Sequence, residues 1–211
     1  MICRYLFVVC CLYFLPHTAA AQLSGRLVNH TGFVYEFTRA DPLPANIIAN
    51  LYDFYTLQIG TYYTLLHTEN DVASLGIDPS LHFGFNFFNT GTNVAFDITT
   101  QVPVLLLGRY GALSSPFNSQ RFGIGGGIGF KYTYLSKGVG INQRTGEVVK
   151  ERASFVSPMA AAEITFPFQG QLITLRGLFS IATVLSSLRS DLAGSIETEF
   201  DTFGIGILYG F

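Results

Sequence analysis

From Leu75 to Phe87 every second residue is apolar. Leu75, Ile77, Pro79, Leu81, Phe83, Phe85 and Phe87 take one parity, and Ser74, Gly76, Asp78, Ser80, His82, Gly84 and Asn86 take the other. A period of two sends alternate side chains to opposite faces of a strand, so this segment reads as a strand with one apolar and one polar face. The pattern returns twice with similar clarity. Val94, Phe96, Ile98, Val102, Val104 and Leu106 oppose Ala95, Asp97, Thr99 and Gln101, and Phe122, Ile124, Ile128, Phe130, Tyr132 and Tyr134 oppose Arg121, Gly123, Gly125, Gly127, Gly129, Lys131 and Thr133. Weaker alternation marks residues 52–66 and 171–184, a flatter version 155–168, and two terminal candidates are 23–37 and about 196–211. Turn residues such as Asn89-Thr90-Gly91 separate these segments. Eight strands are expected.

Composition decides which kind of strand protein this is. Only 12% of the residues are charged, about half the roughly 25% of a soluble domain. No stretch of the chain reaches the length of about 18 apolar residues that a spanning helix needs. A chain too apolar for water and without spanning helices must pair every backbone group internally, which in lipid leaves a closed barrel. The expected fold is all-β, an antiparallel transmembrane β-barrel.

The N-terminus carries Arg4, an apolar run over residues 5–15, Pro16 and Thr18-Ala19-Ala20-Ala21. That is the layout of a secretory signal peptide, with cleavage expected near Ala21, so the chain divides into a signal at 1–21 and one barrel domain at 22–211. Cys3, Cys10 and Cys11 all fall inside the signal, leaving no disulfide framework in the exported part. Val9 before Cys10 disfavours lipid attachment, and the slightly acidic balance disfavours a nucleic-acid partner.

Inside the expected strands, Arg26, Glu36, Asp78, Asp97, Arg121, Lys131, Glu163 and Arg176 fall opposite the large apolar residues, and His82 joins them. Lys or Arg facing lipid at the midplane costs about 2–4 kcal/mol. These groups are therefore expected in the lumen, four basic against four acidic, as a paired network that fills a narrow barrel. A secreted lipocalin-like barrel would put its large polar face outward. Here the polar face consists of small residues, with Gly123 to Gly129 foremost, and the pattern is inside-out. An even strand number places both termini on the periplasmic side. The charged segment 135–155 is then extracellular, and Lys137, Arg144, Glu147, Lys150 and Arg152 form a candidate binding loop. The segment 107–120 is long for a periplasmic turn.

In the last strand Phe203, Ile205, Ile207, Tyr209 and the terminal Phe211 form one apolar stripe alternating with Gly204, Gly206, Leu208 and Gly210. This resembles the C-terminal targeting signal of bacterial outer-membrane proteins. The resemblance implies an outer-membrane location and recognition of these five residues by the barrel-assembly machinery, through strand addition. In strand pattern the whole exported chain resembles small barrels of the OmpA and OmpX kind.

Chemical motifs are sparse. Gly123-Ile124-Gly125-Gly126-Gly127-Ile128-Gly129 continues as strand and cannot open a helix, so it is not a dinucleotide loop. His30, His67 and His82 are too scattered to suggest a metal site, and nothing calls for a cofactor. The lipid A deacylase type of barrel is similar in size, but its His-x-Ser pattern is absent here. The expected function is that of a non-enzymatic barrel, a scaffold presenting loops or a subunit docked in a larger membrane complex, with outer-membrane lipids around it. The alternatives are a lipid hydrolase or acyltransferase using His82, marked by a nearby nucleophile such as Ser80 and an opening toward lipid, and a small-solute pore.

Overall fold

The computed structural model describes residues 26–41, 51–89, 94–116, 118–141, 148–181, 186–190 and 194–210. The expected signal peptide, its cleavage point and the terminal Phe211 lie outside these residues. Among the described residues the chain forms β1 (Leu27–Asp41), β2 (Leu51–His67), β3 (Ala73–Asn89), β4 (Val94–Gly111), β5 (Gly123–Ile141), β6 (Val148–Phe168), β7 (Gln171–Ile181), β8 (Ser186–Ser190) and β9 (Gly194–Gly210). Every pairing is antiparallel, and β1 pairs with β9, so the sheet closes on itself.

The barrel has eight positions around its wall, because β7 and β8 share one. Both lie between β6 and β9, β7 facing residues 159–168 of β6 and β8 facing 151–153. The seventh strand expected at 171–184 is thus a longer wall position built in two pieces. Partner to partner, Leu27 leads to Tyr63, Ile77, Leu106, Ile128, Ala160, Phe179 and Phe203, and then back to β1 at Phe37. The register has climbed ten residues in one circuit. That stagger in an eight-position barrel requires strongly tilted strands, of the order of 40° from the axis, and leaves an interior that side chains can fill.

The outer wall is apolar. Phe33, Tyr55, Phe83, Leu106, Ile128, Phe130, Ile164, Phe179, Ile205 and Ile207 are all exposed. Among the described residues the exposed charged side chains sit beyond this belt, with Arg26, Glu69 and Arg121 at the end of the β2–β3, β4–β5 and β6–β7 connections and Arg39, Arg152, Glu199 and Asp201 at the other. Tyr110, Phe122, Phe168 and Tyr209 are exposed toward the first end and Tyr35, Phe37, Phe85 and Tyr132 toward the second, an arrangement of two aromatic girdles.

The connection after β4 does not hang free as a long turn. β4 runs on to Gly111, and Ala112, Leu113, Ser114 and Ser115 are buried in the barrel mouth. Leu113 packs in one cluster with Val28, Tyr62, Leu107 and Leu208. Asn118 Nδ2 donates to the carbonyls of Asp71 and Gly111 and to Ser114 Oγ, tying the connection to the β2–β3 turn. Burial of Ala112 and Leu113 explains the length of this segment: it is a stopper. The expected exterior hairpin at 135–155 is mostly strand, since β5 reaches Ile141 and β6 begins at Val148.

Candidate functional site

The lumen holds the polar side chains that the alternation turns inward, and they gather at two heights. Nearer the stoppered mouth, Arg176 of β7 lies between Asp78 of β3 and Glu163 of β6 and is bonded to both. Its Nε donates to Glu163 Oε1 at 2.6 Å. Arg109 of β4 donates to the same carboxylate through Nε at 3.0 Å and Nη2 at 3.4 Å. Arg109 also reaches the carbonyl of Leu113 at 3.4 Å, and its guanidinium lies 4.3 Å above the Tyr62 ring. His30 Nε2 donates to Asp78 Oδ1 at 2.6 Å. Gly60, across from His30 in register, makes room for that ring, since a Cβ there would stand 2.2 Å from His30 Cε1.

The second group surrounds Glu36 of β1. His82 Nδ1 donates to Glu36 Oε1 at 3.0 Å, and Lys131 Nζ to Oε2 at 3.4 Å. On its other side His82 Nε2 stands 3.3 Å from Ser80 Oγ, so with Nδ1 protonated it accepts the hydroxyl proton. Ser80, His82 and Glu36 thus have the connectivity of a nucleophile, a base and an orienting carboxylate. Among the described residues none of the three reaches the surface. His82 and Glu36 are completely buried and Ser80 nearly so, all inside the wall.

Apolar layers separate and cover the two groups. Val34, Leu105, Met159 and Leu178 pack together between them. Beyond Glu36, toward the end of the β1–β2 and β5–β6 connections, Phe54, Leu135, Phe155 and Phe200 are buried. The rings of Phe155 and Phe200 stack with centroids 4.4 Å apart and planes 3° from parallel.

Of the residues expected in the lumen, Glu36, Asp78, His82, Asp97, Lys131, Glu163 and Arg176 are buried there. Two are not. Arg26 is exposed just before β1 begins, and Arg121 is exposed in the connection ahead of β5, where strand parity has no meaning. The four-against-four balance changes accordingly. Among the described residues the buried charged ones are Glu36, Asp78, Asp97, Glu151 and Glu163 against Arg109, Lys131 and Arg176, with His30 and His82 beside them. Arg109 lies beyond the alternation expected over 94–106, because β4 runs on to Gly111 and the inward parity continues through 107 to 109. His67 is exposed and pairs with Asp71 in the β2–β3 turn. Among the described residues no cluster of His, Cys, Asp and Glu is placed to hold a metal ion.

In the candidate binding loop, Lys137, Lys150 and Arg152 belong to β5 and β6, and Arg152 is exposed. Arg144 and Glu147 lie outside the described residues. Of the C-terminal stripe, Phe203, Ile205, Ile207 and Tyr209 are exposed on the outer face of β9, which closes the barrel against β1.

Closure through β9 and β1, an apolar exterior and a buried polar interior decide the fold. It is that of a small outer-membrane β-barrel. No protein-family model matches the chain, and no curated protein matches it in sequence. Among solved structures it is similar to Ail, the attachment invasion locus protein of Yersinia pestis, at 12% identity and a TM-score of 0.47, over 89% of this chain and 99% of that one. It is similar to the outer membrane protein OprG from Pseudomonas aeruginosa at 16% identity and a TM-score of 0.47, over 89% and 96%. A further likeness, at 8% identity and a TM-score of 0.41 over 90% and 97%, is to the outer membrane protease OmpT from Escherichia coli. These are likenesses of shape between proteins of different activity, and the reading of this barrel rests on its own residues.

Proposed function

We propose that this chain is a non-enzymatic barrel of the bacterial outer membrane, acting as a scaffold through the surfaces it presents. The single observation that carries this reading is the burial of the lumen's reactive groups. Every group suited to chemistry or conduction in the two polar layers is buried, and apolar layers lie between and beyond them. The exposed belt of Phe, Ile and Leu supports embedding in lipid, and the end at which β1 begins and β9 finishes corresponds to the periplasmic side. The surfaces left to act are the outer wall and the end opposite the periplasmic one, where β5 and β6, at 19 and 21 residues, exceed the 9–11 or so that a spanning strand needs.

The Ser80–His82–Glu36 arrangement favours a hydrolase as the second reading, and one experiment separates the two. The purified barrel is reconstituted in phospholipid vesicles and planar bilayers and compared with Ser80→Ala. The scaffold reading expects no acyl-ester hydrolysis and no steady unit conductance from either protein. Hydrolysis abolished by Ser80→Ala establishes the enzyme, and a steady conductance establishes a pore.

A further inference from the structure

Four oxygens on consecutive wall positions are buried without a hydrogen-bond partner among the described residues: Gln101 Oε1 of β4, Thr133 Oγ1 of β5, Ser157 Oγ of β6 and Ser180 Oγ of β7. None of these residues is more than 2% exposed. Gln101 stands opposite Thr133 in register, Ser157 opposite Lys131, and Ser180 opposite Met159, the next inward residue of β6. The ten-residue climb over eight wall positions moves the level by about one residue per strand, so the four oxygens share one height in the lumen. Thr133 and Ser157 are diagonal neighbours, as are Ser157 and Ser180, with about 7–8 Å between such positions. Two short hydroxyls cannot close that distance, and one small molecule between them can.

Apolar side chains bound this level above and below. Along β6 the inward order is Phe155, Ser157, Met159, along β5 Thr133 is followed by Leu135, and along β7 Ser180 is preceded by Leu178, all of them buried. The Glu36 group stands beside the four oxygens. Gln101 donates its amide to Glu36 and keeps Oε1 unpaired. Lys131 carries three donors, and its 3.4 Å contact with Glu36 engages one of them. Glu36 and Lys131 cancel in charge, so an ion gains little here: a cation meets the ammonium, and an anion meets the carboxylate and Gln101 Oε1. The groups on offer are mixed, with an acceptor on Gln101, donors on Lys131 and hydroxyls that do either. Water both donates and accepts, and a polar cavity holds it where an apolar one stays dry.

We infer that the lumen is a binding site for a small water cluster at this height, bridging Gln101, Thr133, Ser157 and Ser180 and continuing to Lys131. A buried water makes about three hydrogen bonds, so about two molecules serve the four oxygens and the spare donors of Lys131. Leaving the four oxygens dry would carry the full desolvation penalty of each. The waters join β4, β5, β6 and β7 from the inside, as Arg109, Glu163 and Arg176 join β4, β6 and β7 nearer the stoppered mouth. The same wall is thus held by charge at one level and by hydration at the other.

The test uses the full barrel folded in detergent micelles and turns on a sign. Thr133→Val, Ser157→Ala and Ser180→Ala each remove a hydroxyl at nearly constant shape. With water bound, each strips the cluster of a partner and is expected to lower the urea midpoint. A hydroxyl that is unpaired in the native barrel gives the opposite result, since deleting it relieves a penalty. A raised or unchanged midpoint in all three therefore overturns the site. Oxygen-17 relaxation dispersion of the solvent counts long-held waters directly, and Ser157→Leu, which fills the space between Phe155 and Met159, is expected to lower that count by about two. An unchanged count in a Ser157→Leu barrel that still runs as a folded band also overturns it, and if that variant does not fold the three conservative ones decide alone. At constant ionic strength the wild-type midpoint is expected to be indifferent to sodium and chloride content. A midpoint that rises with either would put an ion in the place of water and contradict the assignment.

Discussion

Arg176 and Glu163 face each other across the β6–β7 pair, joined by the Nε–Oε1 bond of 2.6 Å, and the same guanidinium holds Asp78 on the far side of the lumen. One side chain thus ties β3, β6 and β7 together inside the barrel. Removing it leaves two buried carboxylates short of a partner. Arg176→Met is expected to lower stability by about 3–5 kcal/mol, the cost of breaking a buried ion pair from one side. Urea unfolding in detergent measures it, and a loss below about 1 kcal/mol would show that the cluster is a passenger in the core.

The alternation of Leu75–Phe87 and its repeats made the barrel legible without coordinates, because lipid outside and a packed interior leave each strand residue only two places to go. The same parity located Glu36, Asp78, Lys131, Glu163 and Arg176. What it could not supply was pairing. Which carboxylate meets Arg176 depends on a register that climbs ten residues around the barrel, and that is a property of closure, not of any strand alone. Leu113 and its neighbours were illegible for a different reason. They form no strand, and their burial follows from folding back into a mouth that exists only once the barrel is closed.

Leu113 sits at φ 61°, in the left-handed region that disfavours a large side chain, yet it fills the mouth beside Val28 and Leu208. Packing therefore outweighs local strain. Leu113→Ala is expected to lose about 2–3 kcal/mol through the lost contacts and cavity. Leu113→Gly loses the same contacts but is relieved of backbone strain, so it is expected to be the more stable of the two. An alanine variant more stable than the glycine one, in the same urea titration, would refute this account of the stopper.

Glu36 depends on both His82 and Lys131. His82→Phe is expected to cost about 1–3 kcal/mol, because Glu36 Oε1 and Ser80 Oγ each lose a buried partner. Ser80→Ala removes only the weaker bond at 3.3 Å and is expected to cost about 1 kcal/mol or less. The reverse order of the two losses would mean that Ser80, and not the carboxylate, organises this group.

Depth along the outer wall sets the cost of an outward charge. Ile128→Arg places a guanidinium in the middle of the belt and is expected to cost about 2–4 kcal/mol, whereas Ser154→Arg, two residues from Arg152, is expected to cost about 0–1 kcal/mol. Refolding yield into phospholipid vesicles followed by denaturant titration measures both. Equal costs would mean that the belt does not face hydrocarbon.

The most direct measurement is the mobility of the chain from the outer-membrane fraction on a detergent gel, with and without boiling. A closed barrel held by ten strand-to-strand pairings among the described residues predicts a compact band that shifts only after heating, and recovery in that fraction. A chain that runs identically in both lanes, or that is recovered soluble, would contradict the membrane barrel.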